Sequence, residues 1–581
     1  MTSTSEANSA QYDSIVVGSG LGGLSAAAYL AAAGERVLVL EQYSALGGSS
    51  HVFRRQGRWE FDCGVHYLGE CGPDGIVTTI MRGLALDDRL NWLPMDQDGF
   101  DRIIGPGFEF AVPVGWDAYL ASLLDAFPTE RAAVYRYHSV VRRLGESAGR
   151  SAVSSHAAMG RALARSGRAA LFAAMPFAAF LTICGFSPRS ILALSVQCGA
   201  LASTPLGLPT AAMAGFLQDY VGSGSFYPQG GGQMLAAGFA EVITSHGGAI
   251  RTNARVRSIT VADRQVTGVR LADGETIAAP AVVSDADIIK TFTELVGLEH
   301  LPIAHRARIK SWTMSRPLIN GFFGIEFDTA TAPNSNYFAI PTWDDAKSLL
   351  SLTRMSRQLI DGSGFSSGTD WARQMAARQP MFVQSSSRRD PGNRRAAPAG
   401  RSTVEVQTIT PYKPELWGVD GYDLTTGEYR TSPAYHEVKK IVLEGMAERM
   451  EQAFPGSAAT VEIAELGSPA TQTRFVGNTG GAPFGLKVSV DQFGSTRPGS
   501  STAIGGLFLA GTSTRWGPGT VGAMLSGVHA AAGVTGRDLV TEIRSGAVIA
   551  DPSALSPWPA DFDPLATTRG MDAQPDRRRR R

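Results

Sequence analysis

Residues 12–42 read "YDSIVVGSGLGGLSAAAYLAAAGERVLVLEQ". The apolar pattern predicts a buried strand over 13–17, an alanine-rich helix over 22–33 and a second strand over 37–40 that ends at the acidic Glu41. Between strand and helix stands G-x-G-x-x-G, formed by Gly18, Gly20 and Gly23. In a βαβ unit the first glycine permits a tight turn and the second lets the backbone approach a diphosphate. The third lets the helix pack closely on the strand. The helix N-terminus adds free N–H groups and the positive end of a dipole. Glu41 follows Gly18 by 23 residues, where a carboxylate can accept both ribose hydroxyls of an adenosine and would repel a 2′-phosphate. Strand, glycines, helix, strand and acid in register predict a dinucleotide site that does not favour NADP.

Two further stretches indicate which dinucleotide. "EQYSALGGSSHVF" places Gly47 and Gly48 shortly after Glu41, similar to the second glycine turn of FAD-containing oxidoreductases. Near the other end, "GGLFLAGTSTRWGPGTVGAMLSGVHAA" predicts a short strand over 507–510 and a turn at Gly511. Gly517, Pro518 and Gly519 then lead into a helix beginning near Val521. N–H groups at that helix start could stabilise negative charge on a reduced flavin ring.

Composition narrows the alternatives. The 581 residues carry 53 basic and 53 acidic side chains, so no global charge points to nucleic acid. Arg577 to Arg581 form a terminal run, and 53 less those five leaves 48 basic residues against 53 acidic ones. The run is expected to be a solvated tail or a contact for anionic lipid. Only Cys63, Cys71, Cys184 and Cys198 occur, with no C-x-x-C pair, which gives no support to a metal site and suggests a reducing compartment. The first eleven residues lack the basic and apolar regions of a signal peptide. A cytoplasmic protein, peripherally bound to membrane, is expected.

A central segment, "FYPQGGGQMLAAGFAEVITSHGGAIRTNARVRSITV", places Gly230–Gly232 before a predicted helix and an alternating strand over 255–261 after it. With "VVSDAD" at 282–287, "RRDPGNRRAAPAGRSTVEVQTITPY" at 388–412 and "RFVGNTGGAPFGL" at 474–486, the chain resembles the phytoene desaturase, carotenoid isomerase and retinol saturase group over roughly residues 10–540. The stretch "EFDCGVHYLGECG" at 60–72 resembles the retinol saturase branch most. The resemblance implies an α/β fold in which a Rossmann-like FAD-binding domain of the glutathione reductase and amine oxidase type is interleaved with an α+β substrate-binding domain. It implies FAD as cofactor, with Gly18, Gly20, Leu21, Gly22, Gly23, Glu41, Gln42, Gly47, Gly48, Ser49, Val256, Gly511, Gly519, Val521 and Gly522 around it. It also implies that the Tyr-Pro-x-Gly-Gly turn at 227–231 faces substrate.

The implied activity is redox chemistry at a carbon–carbon bond of a hydrophobic polyene or isoprenoid, by desaturation or saturation. Cis–trans isomerisation of a carotenoid, an amine oxidase-like reaction, and a non-catalytic prenyl-binding escort stand as alternatives. The external electron donor or acceptor is not readable from the sequence. The FAD-binding domain is expected over 10–100, 225–290 and 465–545, the substrate-binding domain over 101–224 and 291–464, and a polar tail over 546–581. Residues 169–186 contain no charged side chain and follow Arg161, Arg165 and Arg168 at helical spacing. A helix lying on an anionic membrane surface would show that pattern. His66 and Tyr67 are the candidate catalytic residues, because an imidazole can exchange a proton near neutral pH. Asp62 is expected to fix its loop, Arg474 to contact a polar substrate end or form an ion pair, and Cys63 and Cys71 to be free thiols.

Overall fold

The computed structural model describes residues 12–147 and 155–573. Six strands form one sheet in the order Leu507–Leu509, Ala281–Ser284, Ser14–Val17, Val37–Leu40, Ala249–Arg251 and Asp572–Ala573. The first five run parallel, and the last pairs antiparallel at the edge. Every residue of Ser14–Val17, Val37–Leu40 and Ala281–Ser284 is buried. A parallel sheet covered on both faces needs continuous Val/Leu/Ile runs rather than alternation, and this sequence supplies them.

The fingerprint helix spans Leu21–Ala32, one residue to the N-terminal side of its predicted range at each end. Gly34, at φ 94°, follows its end, where the left-handed conformation suits glycine. The first strand starts at Ser14 rather than 13; Asp13 just before it bonds Arg36 through both its backbone N–H, at 2.9 Å, and its carboxylate, at 2.8 Å. The C-terminal helix, Gly519–Thr535, begins two residues before the predicted Val521.

Close packing of these elements depends on missing side chains. Gly18 turns the chain at φ 97°. A Cβ on Gly23 would strike the Gly18 carbonyl oxygen, and one on Gly527 would strike that of Gly22. The fingerprint helix is therefore apolar all round, wedged between the sheet and the C-terminal helix, as a fully buried helix must be.

A second sheet of seven strands runs Val461–Gly467, Leu318–Ile325, Ser402–Ile409, Met381–Gln384, Asn336–Ala339, Asp101–Gly105 and Phe108–Val112. Its one parallel pairing joins Asn336–Ala339 to Asp101–Gly105. Helices from 116–222 and 349–453 surround it in the largest apolar core of the molecule. A small three-stranded meander, Val256–Ala262, Gln265–Leu271 and Thr276–Ala278, lies beside the parallel sheet.

Two expectations change. The stretch 169–186 is not one helix: a 3-10 turn over Gly167–Phe172 precedes Pro176, and a separate helix covers only Phe177–Cys184. Proline lacks the N–H that a continuous helix would need there. The segment read as a polar tail folds back as far as it is described. Asp563 grips Arg54 at 2.6 and 2.7 Å, the Ile549 N–H reaches the Gly83 carbonyl at 2.7 Å, and Asp572–Ala573 supplies the sheet's edge strand. The leading residues 1–11 and the arginine run 577–581 lie outside the described residues.

Gly527→Ala should overpack the helix–helix contact and lower stability by about 1–3 kcal/mol. Gly160→Ala, on a helix with open space around that position, should leave it unchanged or raise it by up to about 1 kcal/mol. Denaturant titration of the two variants beside wild type checks the contrast; equal behaviour would remove the close approach as the cause.

Candidate active site

A cavity of about 920 Å³ runs between the two sheets. Gly18, Gly20, Leu21, Gly22, Glu41, Gln42, Gly47, Gly48, Ser49, Val256, Gly511, Gly519 and Val521 line it, and so do His66 and Tyr67. Elements widely separated in the chain thus meet around one space. Gly23 and Gly522 do not line it. Both are packing glycines, and a Cβ on Gly522 would run into the Trp516 carbonyl oxygen.

The donors and acceptors suit a dinucleotide. Glu41 Oε2 accepts the Ser19 N–H at 2.9 Å and the Ser19 hydroxyl at 2.7 Å, and Oε1 accepts the Tyr43 N–H at 2.7 Å. The Gln42 N–H also acts on this carboxylate, so four donors of the protein itself hold it at the cavity. Gly48 approaches the Gly20 turn so closely that a Cβ there would sit 3.0 Å from Gly20 Cα. At the other end, residues Gly517–Thr520 present the start of the C-terminal helix to the same space. These residues fit FAD: acid and Gly-rich turn for the adenosine diphosphate, and a second helix start for the flavin.

The Tyr-Pro-x-Gly-Gly turn does not face the cavity, contrary to expectation. Tyr227 donates its hydroxyl to Asp62, Gly232 N–H bonds Asp62 Oδ1 at 2.9 Å, and Gly230 N–H bonds Asp390 at 2.7 Å. Asp62 therefore ties this turn to the 60–72 loop. Arg474 also lies off the cavity, packed over the Phe475 ring at 5.0 Å. The four cysteines are free thiols.

Behind His66 lies a polar cluster that the sequence reading missed. Glu405 is paired with Gln384 across the strand ladder, so their side chains are neighbours on one face. Gln407, two residues on, shares that face by the two-residue period of a strand. Gln384 Nε2 contacts Glu405 at 2.5 Å and His66 Nδ1 at 3.1 Å, and Gln407 Nε2 contacts His66 Nε2. Ser386 Oγ stands 3.3 Å from Asp62 and 3.2 Å from both Glu405 oxygens. The only available signal was alternation of polar residues in "STVEVQTI", which a half-exposed strand would show equally.

The charges in this cluster follow from burial. Desolvation pushes Asp62 up to about 6, partly offset by donors from Tyr227, Gly232 and Ser386. Desolvation, aided by the Asp62 charge, pushes Glu405 well above the carboxylate range. The Ser386 hydroxyl donates toward both Glu405 and Asp62, and burial favours the neutral form of Glu405 over the charged one. Burial, reinforced by the Arg389 charge, lowers His66 to about 3, so its ring is neutral and oriented by two amides. Tyr67 is raised well above 10 by burial. Its hydroxyl, like Asn320 Oδ1 on the cavity wall, has no partner.

Raised carboxyls bind more protons folded than unfolded, so the stability they contribute is fullest below the unfolded range near 4 and is lost as pH rises through the folded values. Moving Asp62 from near 4 to about 6 corresponds to on the order of 3 kcal/mol. Glu405→Gln should remove the Glu405 part, so its melting temperature relative to wild type should increase from pH 5 to pH 8. A difference constant across that range would place the proton elsewhere.

The family described as "Flavin containing amine oxidoreductase" matches residues 21–288. Over 537 residues the chain is 25% identical to an all-trans-retinol 13,14-reductase of Danio rerio, covering 86% of this chain and 82% of that one. A prolycopene isomerase 2 of an Oncidium hybrid cultivar is 26% identical over 540 residues, covering 90% and 83%. Among solved structures, cyclohexylamine oxidase from Brevibacterium oxydans superposes with a TM-score of 0.55 at 16% identity, covering 90% of this chain and 99% of that one.

Proposed function

We propose, for a chain that is an FAD-dependent oxidoreductase with the fold of the flavin containing amine oxidoreductases, that the substrate is a hydrophobic polyene or isoprenoid, changed at a carbon–carbon bond by desaturation or saturation. The observation that carries this reading is the continuity of one cavity. It runs from the Gly18–Gly22 turn and Glu41 into a wall that includes Phe216, Phe338, Met381, Phe382, Leu192 and Leu352. Retinol reductases and prolycopene isomerases, both similar to this chain along most of its length, are named for substrates of this class.

Bound FAD would supply the two-electron chemistry that side chains lack. The Gly18–Gly23 turn and the fingerprint helix would hold the diphosphate, Glu41 the adenosine ribose, and the Gly511 and Gly519–Val521 region the flavin end. His66, neutral and clamped by Gln384 and Gln407, shapes the wall without adding charge. Tyr67 packs against Tyr220 with the rings tilted by 34° and 4.5 Å between centroids, and keeps its proton on Oη. That hydroxyl, buried and without a partner on a residue that lines the cavity, is the candidate to hold or deliver a proton at the substrate. A second reading, isomerisation without net redox change, draws on the likeness to prolycopene isomerase.

A substrate of this class must come from a membrane. No helix among the described residues is long and apolar enough to cross one, so contact would be peripheral. Leu206 and Leu349 line the cavity yet are 42% and 41% exposed. Near them in sequence, Ile183 and Leu350 are 57% and 69% exposed. Arg161, Arg165 and Arg168 are exposed upstream of Phe177–Cys184. Apolar and basic groups together suit an anionic bilayer surface.

Anaerobic incubation of the holoprotein with polyenes from a membrane lipid extract tests the reaction. Bleaching of the flavin with a newly desaturated product is the expected result for desaturation; reoxidation of reduced flavin with a saturated product is expected for saturation. Isomer change alone would favour the second reading, and amine turnover with peroxide release would overturn both. Tyr67→Phe should lower turnover about 10²-fold at unchanged flavin content. Ile183→Glu with Leu350→Glu should reduce co-flotation with anionic vesicles; undiminished flotation would remove this face as the contact.

A further inference from the structure

The strand Ala281–Ser284 ends at a carboxyl group to which the reading above gives no role. Asp285 lines the cavity and is half-buried. Its side chain lies among the glycines of the fingerprint. A Cβ on Gly22 would sit 2.7 Å from Asp285 Oδ1, one on Gly23 would sit 3.1 Å from Oδ2, and one on Gly20 would collide with Oδ2 outright. A Cβ on Gly511, in the C-terminal motif, would come 2.5 Å from Oδ1. The backbone N–H groups of Gly20 and Gly23 act on this carboxyl. They belong to the helix start that a Gly-rich fingerprint offers to a diphosphate.

Two anions cannot share that helix start at full charge. An ionised Asp285 would take the donors and repel the diphosphate at close range in a poorly solvated space. Among the described residues, the groups that act on it include no cation. The fingerprint helix has no charged side chain, and neither have the strands Ser14–Val17 and Leu507–Leu509. From the C-terminal helix only His529 is titratable; it stacks on Trp516 at 4.0 Å and burial lowers it to about 4. From the end of Val37–Leu40 comes Glu41, an acid. On its own loop, Asp287 is engaged by Thr479 at 2.8 and 2.9 Å; Lys290, and Arg515 beyond Gly511, also line the cavity. The charge that acts on Asp285 is that of Glu41, which raises it, and desolvation is the larger cause.

We propose that Asp285 couples cofactor binding to proton uptake: FAD is held by the form of the protein in which this carboxyl is neutral, so binding in alkaline solution draws about one proton from solvent. The inference rests on the reading that the Gly18–Gly23 turn holds the diphosphate. Without cofactor the carboxyl already titrates high, at about 7, and an adjacent diphosphate would move it higher. A neutral carboxyl keeps an O–H that can donate to a phosphate oxygen, so the group turns from a competitor into a ligand. Below pH 7 the proton is already present and affinity is flat. Above it, the dissociation constant should climb toward tenfold per pH unit.

The test is FAD binding to flavin-stripped full chain from pH 6 to pH 9, followed by flavin fluorescence, with calorimetry at pH 8 in buffers of different ionisation enthalpy. Wild type should show the rise above pH 7 and an uptake approaching one proton per FAD. Asp285→Asn should bind with a flat profile and, at pH 9, tens of fold more tightly than wild type. A flat wild-type profile with no proton uptake would overturn this inference alone, and so would an equal slope in Asp285→Asn. Absence of FAD binding even at pH 6 would overturn the cofactor reading and this inference together. Calorimetry on wild type decides the matter even where the variant fails to fold.

Discussion

The structure depends on four distant pieces of chain meeting where side chains are absent. The fingerprint turn, the loop after Ala281–Ser284, Gly511 and the middle of the C-terminal helix converge within contact distance, and a methyl group at Gly20, Gly22, Gly23 or Gly527 would collide with one of the others. This one constraint sets the separation of two helices and holds the helix start open to the cavity. It also brings residues some 500 positions apart into one site. A dinucleotide-binding fold would survive other core changes more readily than a bulge at this junction, because backbone, unlike a flexible side chain, cannot step aside.

A different device ties the seven-stranded sheet to two short strands and to the helix Gln233–Ser245. Asp62 lies on a short strand beside the 60–72 loop, Ser386 and Glu405 belong to the seven-stranded sheet region, and Tyr227 and Gly232 precede the helix Gln233–Ser245. Their hydrogen bonds form one buried network. Such networks specify geometry only when every member is satisfied. The neutral form of Glu405, which burial favours, reduces the charge that Asp62 and Glu405 would otherwise set on either side of one serine hydroxyl.

What the sequence showed and what it hid divide along physical lines. The parallel sheet and the fingerprint helix were legible because burial on both faces leaves unbroken apolar runs, and the glycines stand at diagnostic spacing. The edge strand near 572 was not, because two residues paired at a sheet margin need no apolar signature. Residues 169–186 were legible only in part: their apolarity suits a membrane-facing helix and buried helices alike, and Pro176 marks the break between Gly167–Phe172 and Phe177–Cys184. In the site, Glu41 and the glycine turns were readable from local spacing. Glu405, Gln384 and Gln407 were not, since their meeting with His66 depends on strand register over more than 300 residues of chain. Asp285 was visible as part of "VVSDAD", but its importance lies in what it faces, and that is a tertiary fact.

The cavity wall shows how the protein treats polarity near an apolar substrate. Each buried polar atom left without a partner costs about 1–3 kcal/mol, and both the Tyr67 hydroxyl and Asn320 Oδ1 are so placed. The nearby imidazole, by contrast, has both nitrogens occupied, and the carboxyls lie one layer behind it. Beside His66 the carboxyls are thus held one layer back and the ring is locked, while charged groups such as Arg55, Asp219, Lys290 and Glu465 line other parts of the cavity. A wall that is neutral around His66 and Tyr67 and apolar at Phe216, Phe338 and Phe382 suits a ligand that is apolar where it passes them.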